Sequence, residues 1–275
     1  MGQLRDQLDI GAIAQEAVAT LGSGRQIAPF SARNPAFTLE DAYRAGHTAR
    51  KLRQARGEKP IGRKIGFTNR KVWASFGIAA PIWSSVYDTT VRDIGNGATS
   101  FSLAGLTEPR IEPEIVFHLS AAPDPAMDER DLLGCIDWVA LGFEIVQSMF
   151  AGWKFTAADA VAAFGVHSAL LIGPRRPLAG DTAKWLDTLS NFSIDLVRDG
   201  AVVDTGHAKD VLDGPLSALE HLVGVLAGDP ASPPLEAGEV VTTGTLTAAP
   251  PALAGESWST RLSGIAISDV RLRLE

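Results

Sequence analysis

The sequence predicts an α+β protein, a helical N-terminal part on a larger β-rich body, and three observations lead there. Up to Gly57 the apolar residues recur at helical spacing; beyond Ile61 they gather in short runs rich in Val, Ile and Thr. Gly, Pro and Asp punctuate those runs too often for a chain of long helices. No internal repeat or low-complexity tract interrupts the pattern. The change of character divides the chain into a helical region, 1–60, and a β-rich domain, 61–275.

The elements follow in order. Leu4, Leu8, Ala14, Ala17, Val18 and Leu21 share one helical face over 4–21, and Gly22 and Gly24 offer the C-cap. A second helix begins at Thr38, with Asp41 three residues on as its capping-box partner, and stops near Gly57 and Pro60. Eight β-rich segments come next: GRKIGFT (62–68), SSVYDTTV (84–91), EPEIVFHLS (112–120), LGFEIVQS (141–148), SALLIG (168–173), FSIDLVRDG (192–200), EVVTTG (239–244) and SWSTRL (257–262). Brief helices are expected at 128–139, 181–190 and 215–227, and DPASPPLEAG (229–238) reads as a surface loop. At the end, Val270, Leu272 and Leu274 alternate with Asp269, Arg271 and Arg273, the signature of a half-exposed strand.

With 275 residues, 45% of them hydrophobic, the chain can bury a large core. Its formal charge is -7 and no basic run exceeds two residues, which argues against nucleic acid or an anionic membrane as partner and leaves small molecules. Cys135 is the only cysteine, so neither an internal disulfide nor a thiolate zinc site can form. The first residues interleave charges with apolar side chains, and no apolar run reaches the roughly 18 residues of a membrane span. These features suit a cytoplasmic protein in a reducing compartment.

The chemistry concentrates in Arg110-Ile111-Glu112-Pro113-Glu114-Ile115. Strand alternation puts Glu112 and Glu114 on one face, about 7 Å apart, and Ile111, Ile115, Phe117 and Leu119 on the other. Glu144 lies between Phe143 and Ile145, where an unpaired carboxylate would be expensive to bury. Spacing alone leaves two readings open: solvated acids paired with basic side chains, or three oxygen ligands for a hard divalent cation, Mg2+ or Mn2+. His118 lies about 13 Å along the strand from Glu114, too far to share such a site. Lys64 raises a parallel question, because it sits in a glycine-punctuated apolar strand whose flanking Arg63 and Arg70 already supply charge for solubility. Alternation sends Lys64 and Gly66 to one face, which is then nearly bare, and Arg63, Ile65 and Phe67 to the other. Such a lysine is either a snorkelling surface residue or an amine kept for chemistry.

Together these stretches resemble the fumarylacetoacetate hydrolase superfamily, and within it the 2-oxopent-4-enoate hydratase and 4-oxalocrotonate decarboxylase group. The resemblance rests on I-G-R-K-I-G-F-T from Ile61, G-I-A-A-P-I-W from Gly77, R-I-E-P-E-I from Arg110, A-L-G-F-E-I-V from Ala140 and V-T-T-G-T-L from Val241. It implies a mixed-sheet body of the fumarylacetoacetate hydrolase C-terminal type, a homo-oligomer, and Mg2+ or Mn2+ on Glu112, Glu114 and Glu144. It also implies Lys64 as catalytic acid/base, its pKa lowered by burial beside the cation. Thr243, Gly244 and Thr245 would meet the carboxylate of a small 2-oxo acid. Two segments depart from the family: Ile82 stands where an acid is expected, and Ala163-Phe164-Gly165-Val166 replaces a polar stretch, leaving His167 as a polar substitute or a core histidine.

The expected activity is that of a metal-dependent lyase, hydrating a 2-hydroxypenta-2,4-dienoate-like substrate of aromatic meta-cleavage catabolism. A 4-oxalocrotonate-type decarboxylase, an acylpyruvate-type C–C hydrolase and a catalytically silent ligand-binding relative are the alternatives. His47, on a helix with Arg44, Arg50 and Lys51, is expected to face solvent and not to activate water; Lys154 is expected at the surface. Neither a dinucleotide-binding G-x-G-x-x-G after a strand nor a G-x-S-x-G elbow occurs.

Overall fold

The computed structural model describes residues 8–95, 99–178, 180 and 182–275. The first helix, Ile10–Thr20, starts where the Asp9 side chain accepts from Ala12 N; the Leu4 turn of the expected helix lies outside the described residues, as does residue 181. The second, Leu39–Ala55, carries the expected capping box, with Thr38 and Asp41 each accepting from the other's backbone. Both pack through alanines (Ala14, Ala17, Ala42, Ala49) against a helix not expected from the sequence, Ala157–Ala162, all six of whose residues are buried. Thr156 and Asp159 cap it, a signal present in the sequence.

The main sheet is mixed and orders its strands Ile82–Tyr87, Pro60–Gly66, Val240–Thr245, Arg110–Leu119, Ile136–Val146, His167–Ile172 and Val91–Asp93, with Arg176–Pro177 beside Ile136–Val146. Pro60–Gly66 runs parallel to Val240–Thr245, whereas Arg110–Leu119 is antiparallel to both its neighbours. A second sheet joins Ala201–His207, Ser193–Arg198, Ser257–Ser263, Arg271–Leu274 and Thr99–Phe101. Two expectations are corrected. The helix placed at 128–139 ends at Gly134, because Ile136 onward pairs with Arg110–Leu119 along its whole length. The segment 84–91 is two strands, turned at 88–90, where Thr90 N bonds Tyr87 O.

The odd-numbered face of the glutamate strand (Ile111, Ile115, Phe117, Leu119) joins Leu141, Phe143 and Ile145 in the main core, under helix Pro215–Ala227 and against Leu196, Trp258 and Leu272 of the second sheet. Each such side chain contributes roughly 1.5–3 kcal/mol on burial. The even-numbered face carries only a small apolar patch, Val116, Ala140 and Leu170 among it, beside the acids. The sheet curls until Ile82–Tyr87 touches His167–Ile172, so this polar face is enclosed as well. Among the described residues, no helix is long and apolar enough to cross a membrane.

Candidate active site

The register of two antiparallel neighbours builds the acid cluster. Glu112 stands directly across from Glu144, and Glu114 from Gly142 on one side and Thr245 on the other. One carboxylate oxygen from each of Glu112, Glu114 and Glu144 lies within 4.8 Å of the others. Glu114 and Glu144 are fully buried and Glu112 half-buried. Glu114 Oε2 accepts from Gly244 N at 2.8 Å, while its Oε1 accepts nothing. Glu144 Oε1 meets His167 Nδ1 at 2.7 Å, and its Oε2 lies 3.1 Å from Lys64 Nζ. Three acids therefore share one ammonium and one imidazole.

The charge balance shows in the titration of each group. Burial and the charge of Glu144 push Glu112 up to about 7 despite Lys64, and burial with both neighbouring acids holds Glu114 well above the carboxylate range. Burial also opposes charge on Glu144, but Lys64 and His167 outweigh it and hold that carboxyl at about 2. Burial works against the Lys64 ammonium, yet Glu144, Glu112 and Glu114 prevail and raise it. The lowering expected from the sequence requires a cation's charge to offset those acids. An orphaned buried carboxylate oxygen, in a set of hard oxygen donors with surplus negative charge, fits a divalent cation such as Mg2+ or Mn2+.

Lys64 sits between Ser84 and Thr242 on the neighbouring strands, 2% exposed, and donates to Gly165 O at 3.1 Å. Gly165 has φ +59°, and a Cβ there would come within 2.9 Å of Lys64 Cδ, so the close approach requires glycine. Ile65 is buried on the opposite face, as strand phase demands. Arg63 corrects the reading of a solubilising charge: it is 1% exposed and paired with Glu239. Phe67 also departs from phase, because it lies past the strand end at φ +56° and turns toward the same cavity as Lys64.

That cavity holds about 730 Å³, and Lys64, Glu112, Glu114, Gly244 and Thr245 line it. Ile82, Gly165 and Val166, from the two segments expected to depart from the family, line it too.

No family model matches the sequence. A 2-hydroxyhexa-2,4-dienoate hydratase from Comamonas testosteroni is 31% identical over 98% of this chain and 99% of its own length. The chain belongs to the hydratase and decarboxylase group of the fumarylacetoacetate hydrolase superfamily. A 4-oxalocrotonate decarboxylase from Pseudomonas sp. (strain CF600) is 30% identical over 84% of each chain. The solved structure of 4-oxalocrotonate decarboxylase from Pseudomonas putida G7, complexed with magnesium and adipate, superposes with a TM-score of 0.87 over 97% of each chain at 26% identity. Fumarylpyruvate hydrolase from Pseudomonas aeruginosa, at 14% identity and a TM-score of 0.57 over 78% of this chain and 88% of its own, shares the superfamily fold.

Of the residues expected from sequence to contact a substrate, Gly244 and Thr245 line the cavity and Thr243 and His167 do not. Thr243 does not line the cavity: a bulge between Thr242 and Thr245 turns its hydroxyl to Ile115 O at 3.1 Å. Gly244 makes that bulge possible at φ +97°, where a Cβ would lie 2.1 Å from Thr68 Oγ1. His167 is 2% exposed behind Glu144, with Nδ1–H donating to the carboxylate and Nε2 2.9 Å from the Thr90 hydroxyl, instead of facing the cavity. His118 pairs with Asp137 and stacks on Trp138, outside the acid cluster. His47 is not solvent-facing but half-buried against Trp83, 3.5 Å from Asp229, while Lys154 is exposed as expected. Sequence reasoning missed Thr90, Gly165 and the lining residue Arg110; only R-I-E-P-E-I signalled any of them.

Proposed function

We propose that this chain hydrates a short 2-hydroxy-2,4-dienoate to a 4-hydroxy-2-oxo acid. The observation that carries the reading is the convergence of three glutamates and a buried lysine, of which Glu112, Glu114 and Lys64 line one cavity. The hydratase similarity over nearly the whole chain supports it. A divalent cation held by Glu112, Glu114 and Glu144 supplies positive charge for the substrate's carboxylate and 2-oxygen.

The chain's own residues account for proton handling. Hydration needs the 2-hydroxyl proton lost as C5 gains one; water then adds hydroxyl at C4 and a proton at C3. Lys64 holds a proton at Nζ beside the cavity, and Gly165 O and Glu144 fix that ammonium. His167 and Thr90 hold the Glu144 carboxylate in one orientation. Gly244 N–H keeps Glu114 facing its partners, and Thr245 lines the cavity where a substrate carboxylate would lie. Phe67, Phe76 and Phe155 exclude water from the other wall. Among the described residues, the acid–histidine pairs His118–Asp137 and His47–Asp229 lie off this cavity and the Glu144–His167 pair does not line it, so the C–C hydrolase reading lacks a water-activating dyad at the cavity surface.

We place the protein in the cytoplasm as a homo-oligomer acting on small molecules. The test is incubation of the Mg2+- or Mn2+-loaded protein with 2-hydroxydienoates and with oxalocrotonate, following enol absorbance and CO2 release. Enol loss without CO2 is expected. CO2 release from oxalocrotonate would instead establish the decarboxylase, and inertness on the whole panel would leave a silent relative.

A further inference from the structure

The cavity is larger and more apolar than a five-carbon dienoate requires. Its volume of about 730 Å³ lies in the range, about 300–1,000 Å³, of sites that enclose drug-sized ligands. The polar end is short: Lys64, Glu112, Glu114 and the Gly244 turn form one wall. Beyond it stands an aromatic wall drawn from two distant segments. The Phe67 and Phe76 rings lie 4.3 Å apart, Phe76 and Phe155 6.3 Å, and Phe155 and Trp153 5.9 Å, and all four residues line the cavity. Ile82 adds a further apolar contact.

A substrate carboxylate at this far end is disfavoured. Arg110, two residues before Glu112 on the glutamate strand and close enough for its charge to act on that carboxyl, stands on the acid side of the cavity, its guanidinium 4.4 Å over the Trp153 ring and donating to Ala249 O. Asp204 and Asp210 line the same cavity and repel a second anion. Among the described residues, no basic side chain pairs with either aspartate: Asp204 accepts from Ala248 N and Thr205 N, and Asp210 from His207 N.

We propose that the preferred substrates are 2-hydroxy-2,4-dienoates whose C5 substituent is apolar, alkyl or aryl, and larger than the methyl group of a hexadienoate, seated against Phe67, Phe76 and Phe155. The proposal rests on the hydratase reading for its head group only. The tail recognises by burial alone, so each methylene that reaches the aromatic wall should tighten binding about fourfold until the wall is filled.

Binding of unreactive saturated 2-oxo acids separates the two readings, because it needs no turnover. Titration of the Mg2+-loaded protein calorimetrically with 2-oxopentanoate, 2-oxohexanoate, 2-oxooctanoate and 2-oxo-6-phenylhexanoate should give falling Kd values along the series. Phe76→Ala and Phe155→Ala should each flatten that slope, and a thermal melt reports whether either variant is folded. A flat or rising series in the wild-type protein overturns the proposal, as does tighter binding of the 2-oxo dicarboxylate of matching length. A falling series in a protein that hydrates no dienoate upholds the apolar tail site and rejects the hydratase reading alone.

Discussion

Neutralising one ligand of the acid cluster should stabilise the cation-free protein, and only at high pH. In Glu112→Gln the amide keeps the shape of the side chain and removes its charge. Burial and the charge of Glu144 hold the native carboxyl at about 7, against an ordinary 4.5. At about 1.4 kcal/mol per pH unit that difference corresponds to ~3 kcal/mol of folding cost. Glu112 is only half-buried, and solvent screening brings this to about 2 kcal/mol. The sign follows from proton binding. Below about pH 4.5 the carboxyl is protonated in both folded and unfolded chains, so it imposes no cost. As pH rises through about 7 the folded chain must ionise a group that the environment prefers neutral, and stability is lost. In chelator, Glu112→Gln and wild type should therefore melt together near pH 4.5, whereas at pH 8 the variant should melt higher by roughly 4–8 °C. Adding Mg2+ should reverse the order, because the variant has lost a charged ligand. Thermal unfolding by circular dichroism at both pH values, with and without chelator, measures all of these. An equal melting difference at both pH values, or a less stable variant at pH 8 in chelator, would refute the charge-balance account.

Three further outcomes are expected. Lys64→Met should lower turnover by roughly 10²-fold or more while calorimetry still detects divalent-cation binding; unchanged steady-state turnover on the best dienoate would return the lysine to a structural role. His167→Ala and Thr90→Val should weaken divalent-cation affinity about 10- to 100-fold through loss of Glu144 orientation, read as a shift in the Mn2+ titration followed by electron paramagnetic resonance. Gly244→Ala should cost about 2 kcal/mol or more in urea unfolding, because its φ of +97° and the Thr68 hydroxyl both exclude a Cβ; an unaltered midpoint would argue against that bulge.

The acids and the lysine were legible because strand phase is local. Glu112, Glu114 and Lys64 each follow from alternation within a few residues, and Glu144 from an acid set in an apolar run. The capping box at Thr38 was equally readable. What escaped the sequence depends on contacts between distant segments. Thr243 is turned away by a bulge that Gly244 and Thr68 create together. Arg63 reads as a surface charge until Glu239, far along the chain, is found beside it. The helix Ala157–Ala162 was missed despite its capping pair, since six residues, nearly all alanine and valine, show no amphipathic period when every side is buried. The aromatic wall joins 67–76 with 153–155, segments that no periodicity links.

The Glu112–Glu144 pairing also bears on how the chain finds its fold. These strands pair from Arg110 opposite Val146 to Leu119 opposite Ile136. A slip of one residue would turn Glu112 and Glu114 toward Phe143 and Ile145, and would deliver isoleucine and phenylalanine to the polar enclosure. An apolar strand of the same length would tolerate that error at modest cost, since either face would be greasy. Two carboxylates make the wrong alignment expensive before any cation or substrate arrives. The residues that gather the chemistry thus act as a check on strand alignment, and replacing them with isosteric apolar side chains would remove a barrier to misfolding along with the site.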